Sequence, residues 1–344
     1  MKLLLVGNSS VHVFHFYQLV QHFCTEVYFV NSAPGKKHPD FDIPHHDLSF
    51  SFRNPSKSLK TVGAIKKVIR EWKPDVIHVH QANTIAALTL KAAEGSGVPT
   101  VVTAWGSDIL LAHTQPKLYQ RMLAKVLERG TVFTSDSYFM AHQMQVKQPK
   151  KALDIHIANF GIDPIAPQPK ENIVYSNRLH NKLYRIDRII QSFHCFSSQH
   201  PDWKLVVAGI GTETEALKQM VVDLKLEDKV NFVGWLSKEE NHQWYAKSKL
   251  YVSVPESDAT SMSLLEAMSA GCVPVVSNLP ANLEWITPEF NGIVVTDINS
   301  DFISQGLKMD QQDVMAVNQK IIALHGTKEI NSQKFIAVYK SLLA

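Results

Sequence analysis

The chain is predicted to be an α/β protein made of two doubly wound parallel sheets, and three observations predict it. Short, nearly continuous Val/Ile/Leu runs alternate with helix-length segments from end to end. That is the pattern of strands buried on both faces in βαβ units. The chain has 344 residues, more than one hydrophobic core usually serves, so two cores are expected. The alternation breaks once, where Asn159-Phe-Gly-Ile-Asp163 is followed by Pro164, Pro167 and Pro169. Such a stretch continues neither a helix nor a central strand and reads as a linker.

In the first half the apolar runs place strands at 2–7, 26–30, 75–80, 100–105, 131–136 and 154–159. Helical spacing between them covers 59–72, 84–93 and 118–129. The second half repeats the theme with strands at 172–177, 204–209, 229–234, 250–255, 273–278 and 292–296. The expected domains are 1–163 and 164–330, with an amphipathic segment at 331–344 that has no strand after it and is free to pack back onto the first domain. In sheets of this kind the ligand crevice lies at the carboxyl ends of the strands.

Hydrophobic residues make up 45% and charged residues 19%, which excludes global disorder. The apolar run at residues 3–6 is too short for a signal sequence, and nothing approaches the roughly 18 apolar residues of a membrane span. Cys24, Cys195 and Cys272 are far apart with no CxxC, so neither a disulfide framework nor a cysteine zinc site is expected. The expected location is the cytoplasm.

The net charge of +3 hides an asymmetry: residues 1–160 carry 18 Lys/Arg against 11 Asp/Glu, and residues 161–344 carry 17 against 21. A basic half suggests an anionic partner. Nucleic acid fits poorly, because the basic residues are not interleaved with aromatics and no nucleic-acid motif occurs. An anionic membrane surface fits better. Within 57–73, Lys57, Lys60, Lys66, Lys67, Arg70 and Lys73 accompany Leu59, Val62, Ile65 and Trp72 at helical spacing. Two readings stand for it: an interfacial helix, or a helix that packs its apolar side on its own sheet.

The most informative stretch is Pro255-Glu-Ser-Asp-Ala-Thr-Ser-Met-Ser-Leu-Leu-Glu-Ala-Met-Ser-Ala-Gly-Cys-Val-Pro-Val-Val276. Its residues spell a strand end, a polar loop, a helix from about Met262, a stop at Gly271 and another strand. The polar loop therefore meets a helix N-terminus, where unpaired N–H groups favour an anion such as a diphosphate. Here the chain resembles the retaining glycosyltransferases of family 4, and the likeness extends over most of its length. Their signature is a Glu-x7-Glu pair ahead of Ala-Met-x-x-Gly-x-Pro-Val, and Glu266-Ala-Met-Ser-Ala-Gly-Cys-Val-Pro-Val matches its second half. The resemblance implies a GT-B fold, two facing Rossmann-like domains with a cleft between them.

The resemblance assigns Glu266 to the ribose hydroxyls of the donor nucleotide. It places Asp258 and the backbone amides of Thr260, Ser261 and Met262 around the donor sugar and its phosphate. Asp258 stands where the family has its first Glu and is one methylene shorter, which leaves the donor sugar open. The competing reading makes Ser263-Leu-Leu-Glu266 a helix capping box. Arg178, just past the first strand of the second half, matches the family's diphosphate-binding Arg; as a strand-end residue it is expected to be dispensable for the core. The family's nearby Lys is missing, since Tyr184 occupies its place. Lys182 is then either the second cation or a solvated surface lysine. Gly209 and Gly211 form a glycine turn which in the family lies beside the donor and otherwise is only a tight βα turn. Trp235 and Leu236 are expected near the base.

On the acceptor side the resemblance implies Gly7 and Asn8, with His12 either touching the acceptor or simply packed. Relatives carry His where Trp105 stands. Trp cannot do acid–base work, so it is expected to wall the cleft as a sugar-stacking surface, with Asp108 as an acceptor contact. Asp40-Phe-Asp42 imitates a metal signature but lies in a Pro-rich loop. His78-Val-His80 and His45-His46 lack a third ligand. No GxSxG elbow occurs, and no GxGxxG follows the first strand. The expected activity is a metal-independent retaining hexosyl transfer, with no cofactor, from a nucleoside-diphosphate sugar to a glycan or lipid-linked acceptor in cell-surface polysaccharide synthesis such as lipopolysaccharide or capsule. Two alternatives stay open: a two-lobed small-molecule binding protein, and a nucleotide-sugar epimerase of the same fold.

Overall fold

A computed structural model describes residues 1–33, 41–52 and 54–344. The chain divides into two compact units, 1–160 with 328–344 and 161–327. Each is built around one parallel sheet, as the apolar runs predict.

The first sheet contains β1 (Lys2–Gly7), β2 (Glu26–Asn31), β3 (His45–Asp47), β4 (Val76–His80), β5 (Thr100–Thr103), β6 (Val132–Ser135) and β7 (Ile155–Ile157). They lie in the order β3-β2-β1-β4-β5-β6-β7, all parallel. Strand β3 was not expected: its three residues, His45, His46 and Asp47, are all exposed, so it carries no apolar signal. Asp40 of the Asp-x-Asp sequence lies outside the described residues. The last helix, Lys328–Leu343, belongs to this unit. It buries Phe335 and Tyr339 against Phe16, Phe29 and the strands, with the Phe335 and Phe16 rings edge to face at 5.0 Å.

Helix Pro55–Trp72 is capped by the Asn54 side chain, which accepts from the Lys57 amide. It buries Val62, Ile65 and Ile69 in its own unit. Trp72 is held between Lys2, 4.7 Å from the ring centroid, and Tyr28 at 5.7 Å. Most of the apolar side of this helix is thus covered by its own domain, while Leu59, 65% exposed, faces solvent with the basic residues.

The second sheet contains β8 (Glu171–Ser176), β9 (Lys204–Ala208), β10 (Val230–Gly234), β11 (Ser248–Ser253), β12 (Val273–Ser277) and β13 (Ile293–Val295). Their order is β10-β9-β8-β11-β12-β13, again all parallel. Alternate residues serve opposite layers: Val174, Leu250 and Val252 join one core with Phe193 and Trp203, and Tyr175 and Tyr251 join another with Tyr245 and Leu264. In both sheets the chain order reverses at the first strand, between β1 and β4 and between β8 and β11. That reversal opens a crevice at the carboxyl ends of those strands.

Candidate functional site

In the second unit the loops leaving β8 and β11 carry the charged residues at that reversal. Arg178, two residues past β8, donates from Nη2 to Asp258 Oδ2 at 2.7 Å and from Nη1 to Ser261 Oγ. The Tyr184 ring lies against the guanidinium, 4.4 Å from its carbon to the ring centroid. The two ion-pair side chains are 11% and 19% exposed. Burial opposes the charge on Arg178, but Asp258 and the neighbouring Tyr251 and Tyr184 outweigh it and hold the group protonated. Burial pushes the Asp258 carboxyl up against the pull of Arg178, and the net direction is upward. The expectation that Arg178 is dispensable for the core is therefore corrected: its removal would strand a largely buried carboxylate without its counter-charge.

Helix Met262–Ser269 begins at this pair. Ser261 is its N-cap, with Oγ accepting from the Leu264 amide at 3.4 Å. At the other end the Cys272 and Gly271 amides bond back to Ala267 and Met268, with Gly271 at φ +78°; this is a Schellman stop that only a left-handed residue closes well. The capping-box reading of Ser263 and Glu266 is overturned, because the cap is Ser261 and the residue three on is Leu264. Glu266 projects from the second turn, its carboxylate 3.9 Å from His242 Nε2. The Leu264 amide is taken by Ser261, while the Met262 and Ser263 amides ahead of it have no intrahelical acceptor, so these amides, the guanidinium and Ser261 converge on one place.

Gly209 and Gly211 act on Arg178 through the backbone. A Cβ on Gly209, which sits at φ +108°, would stand 2.5 Å from the Arg178 carbonyl oxygen, and one on Gly211 would stand 2.2 Å from that of His180. The absence of side chains lets the 178–180 loop press onto the turn after β9. Two backbone bonds fasten it, His180 N–H to the Ile210 carbonyl at 3.2 Å and Glu213 N–H to the His180 carbonyl at 2.9 Å. His180 itself is buried, with Nδ1 2.9 Å from Thr214 Oγ1, and burial holds its imidazole below the ordinary pKa. Lys182 is exposed in the short turn Lys182–Tyr184, while Arg185 is engaged by Glu256 at 2.9 Å. Trp235 is 70% exposed and Leu236 packs partly into the core.

In the first unit, the expected residues gather at the ends of β1, β4 and β5. Gly7 is packed against Val13 and His80, and Asn8 Oδ1 accepts from the Ser10 amide. Trp105 Nε1 donates to His80 Nδ1 at 3.1 Å. His12 meets the Trp105 ring edge-on at 5.3 Å and stacks on Phe160 at 6.0 Å. Asp108 is different: it is 6% exposed and its two oxygens accept from the Ala82 and Trp105 amides at 2.7 and 3.0 Å. Those bonds tie the loop after β5 to the loop after β4, which makes Asp108 a loop-positioning residue. His78 and His80 are core residues, stacked at 4.9 Å. His78 is held between Tyr339 and Thr103 at 2.6 Å each. Among the described residues no group of three or more His, Cys, Asp or Glu is placed to hold a metal ion.

Residues 163–309 match the family described as glycosyl transferases group 1, and residues 2–137 match the family described as glycosyl transferase 4-like. The chain belongs to the group 1 glycosyl transferases. Over 279 residues this transferase is 26% identical to the N-acetyl-alpha-D-glucosaminyl L-malate synthase of Bacillus anthracis, covering 73% of this chain and 70% of that protein. It is 22% identical to the alpha-monoglucosyldiacylglycerol synthase of Acholeplasma laidlawii over 92% of this chain and 89% of that one. Anabaena HepE in complex with UDP superimposes with a TM-score of 0.83 at 15% identity, over 99% of the transferase and all of HepE. At that identity the likeness concerns the fold, which is GT-B. Membership in a transferase family sets aside the binding-protein and epimerase readings.

Three residues of the transferase site escape sequence reasoning. Tyr184 reads only as a misplaced Lys, yet its ring backs Arg178. His180 joins the Arg178 loop to the glycine turn, a contact between neighbouring strands that no linear spacing announces. His242 reaches Glu266 from helix Lys238–Lys247, where its period marks it only as half-buried. No helix among the described residues is long and apolar enough to cross a membrane.

Proposed function

We propose that this transferase moves a sugar from a nucleoside-diphosphate sugar to a glycan or lipid-linked acceptor in cell-surface polysaccharide synthesis, with retention of anomeric configuration and without a metal ion. The observation that carries the reading is the convergence of Arg178, Ser261 and the first turn of helix Met262–Ser269 on one place at the ends of β8 and β11. A fixed cation and unpaired amides suit a departing diphosphate. Glu266 accepts from the ribose hydroxyls, and Asp258 contacts the sugar while holding Arg178 in place. Gly209 and Gly211 position the loop, Trp235 and Leu236 border the base, and Lys182 supplies a second, mobile cation. Gly7, Asn8, His12 and Trp105 line the acceptor side.

The bond from the anomeric carbon to the diphosphate oxygen breaks, and the acceptor oxygen bonds to the same face of that carbon. The acceptor proton passes to the departing phosphate oxygen. Positioning and charge stabilisation supply the rate. UDP is the first nucleotide to test, since HepE was crystallised with it. A diacylglycerol-type acceptor, as in the name of the Acholeplasma relative, would place the reaction at the cytoplasmic face of a membrane.

The test is Arg178→Lys, which keeps a cation beside Asp258 but loses the two-pronged guanidinium. With a donor identified by thermal shift, kcat should fall by about 10²-fold while the melting temperature changes little. Activity within a few-fold of wild type would place the diphosphate elsewhere. Chelator should leave transfer intact, and a strict Mn²⁺ or Mg²⁺ requirement would overturn the metal-free reading.

A further inference from the structure

His80 is a buried polar side chain that the proposed reaction does not use. It ends β4, has no exposed surface and lies among aromatic rings, with Phe16 at 4.3 Å and His78 stacked at 4.9 Å. Its side-chain hydrogen bond is accepted at Nδ1 from the Trp105 indole at 3.1 Å. An indole N–H can only donate, so Nδ1 carries the lone pair and the proton sits on Nε2. Among the described residues that buried Nε2 has no hydrogen-bond partner. Burial pulls the imidazole down to about 3, so the ring stays neutral. An orphaned buried N–H is a cost. A phenylalanine would fill the same aromatic slot without that cost, but it could not accept the indole N–H.

The bond fixes a ring that other contacts already confine. Trp105 stands two residues past β5, and its backbone N–H donates to Asp108 Oδ1 at 3.0 Å. His12 meets the indole in an edge-to-face contact at 5.3 Å, and Phe160 does so at 6.4 Å. Trp105 is nevertheless only half-buried. Held at its backbone, its ring nitrogen and its sides, it cannot leave its rotamer without breaking these contacts. A flat, rigid, partly exposed π surface matches the C–H face of a pyranose, whose polarised C–H bonds meet the negative face of the ring. A diacylglycerol offers a flexible hydroxyl and no such face.

We propose that His80 is the positioning residue of an acceptor subsite: through Nδ1 it holds the Trp105 ring in place for a pyranose, so the acceptor end is a sugar rather than the glycerol hydroxyl of a lipid. This rests on the transfer reaction proposed above, but its test needs neither donor nor turnover. The indole N–H resonances of the whole isotope-labelled chain are followed by NMR, with that of Trp105 assigned from Trp105→Phe. Methyl pyranosides of glucose, galactose, mannose and N-acetylglucosamine are added at millimolar concentration, and dioctanoylglycerol in parallel. At least one glycoside should shift the Trp105 resonance, and dioctanoylglycerol should leave it in place. His80→Phe should move that resonance upfield as its hydrogen bond is lost. It should also raise the glycoside Kd about two- to tenfold, the gain from pre-ordering one side chain. His80→Gln, whose amide oxygen can accept the N–H, should recover affinity; a packing role would favour Phe over Gln. Trp105→Phe leaves His80 intact and removes the other half of the bond, so glycoside binding read by saturation transfer should weaken at least as much. Failure of wild type to bind any nucleotide in calorimetry would count against the transfer reading. A Trp105 resonance that ignores every glycoside, or moves as far with dioctanoylglycerol, would overturn the subsite. Equal glycoside affinity in wild type and His80→Phe, or weaker binding by His80→Gln than by His80→Phe, would overturn the role of His80.

Discussion

Substituting Gly211 by alanine probes how Arg178 is held. The added Cβ would lie 2.2, 2.6 and 2.9 Å from the oxygen, carbon and nitrogen of His180. All three are backbone atoms, so no side chain can swing aside. Restoring ordinary contact near 3.4 Å requires the 178–180 loop to retreat by roughly 1 Å, which stretches both backbone bonds that fasten it. At about 0.5–1.5 kcal/mol per bond, with comparable strain, the loss of stability should be about 2–6 kcal/mol. A displacement of that size at a charge-stabilising group lowers kcat by up to ~10²-fold. Urea titration measures the first, and calorimetric titration with UDP or GDP, under conditions where the variant is folded, measures the effect on binding. Gly234→Ala is the control: its φ is +70° but nothing lies within 4 Å of the added carbon. It should lose only the ~1 kcal/mol of left-handed strain and keep full nucleotide affinity. If Gly211→Ala binds nucleotide and turns over like wild type, the turn does not position Arg178.

Two further outcomes are expected. Burial pulls the His80 imidazole down from 6.5 to about 3. The unfolded chain therefore takes up a proton below pH 6.5 that the folded chain refuses until about pH 3, and stability falls as pH drops through that window. At about 1.4 kcal/mol per pH unit, wild type should lose about 2 kcal/mol more than His80→Phe between pH 6.5 and 5.0 in urea titrations; parallel losses would contradict the assignment. Glu266→Ala should raise the donor KM at least about tenfold, as loss of a charged acceptor implies, with little change in melting temperature. Ser261→Ala, which does remove the cap, should lose about 0.5–2 kcal/mol; the reverse pattern of stability losses would restore the capping-box reading.

Both sheets were legible because parallel strands buried on two faces leave unbroken apolar runs. Strand β3 was not, since an edge strand of His45, His46 and Asp47 is fully exposed and is defined only by pairing with β2. The site followed the same division. Arg178 and Ser261 could be placed because they occupy the ends of readable elements. The glycine turn could be located but not interpreted, because its purpose depends on how closely the β8 loop approaches β9. Asp108 misled for a related reason: an acid after a strand reads as a ligand contact, and only the Ala82 and Trp105 amides show that its oxygens are occupied. On helix Pro55–Trp72, spacing alone could not tell which side is covered.

The last helix has a consequence for how the molecule is made. Tyr339 and His78, hydrogen-bonded at 2.6 Å, are 261 positions apart. A ribosome therefore delivers the first sheet early but withholds Phe335 and Tyr339 until the whole of 161–327 has emerged. The second unit, continuous in sequence, can fold while the first still waits with Phe16 and His78 uncovered. Synthesis order and domain order are thus inverted: the half that begins first finishes last, and in the interval its open core is the natural client of a chaperone.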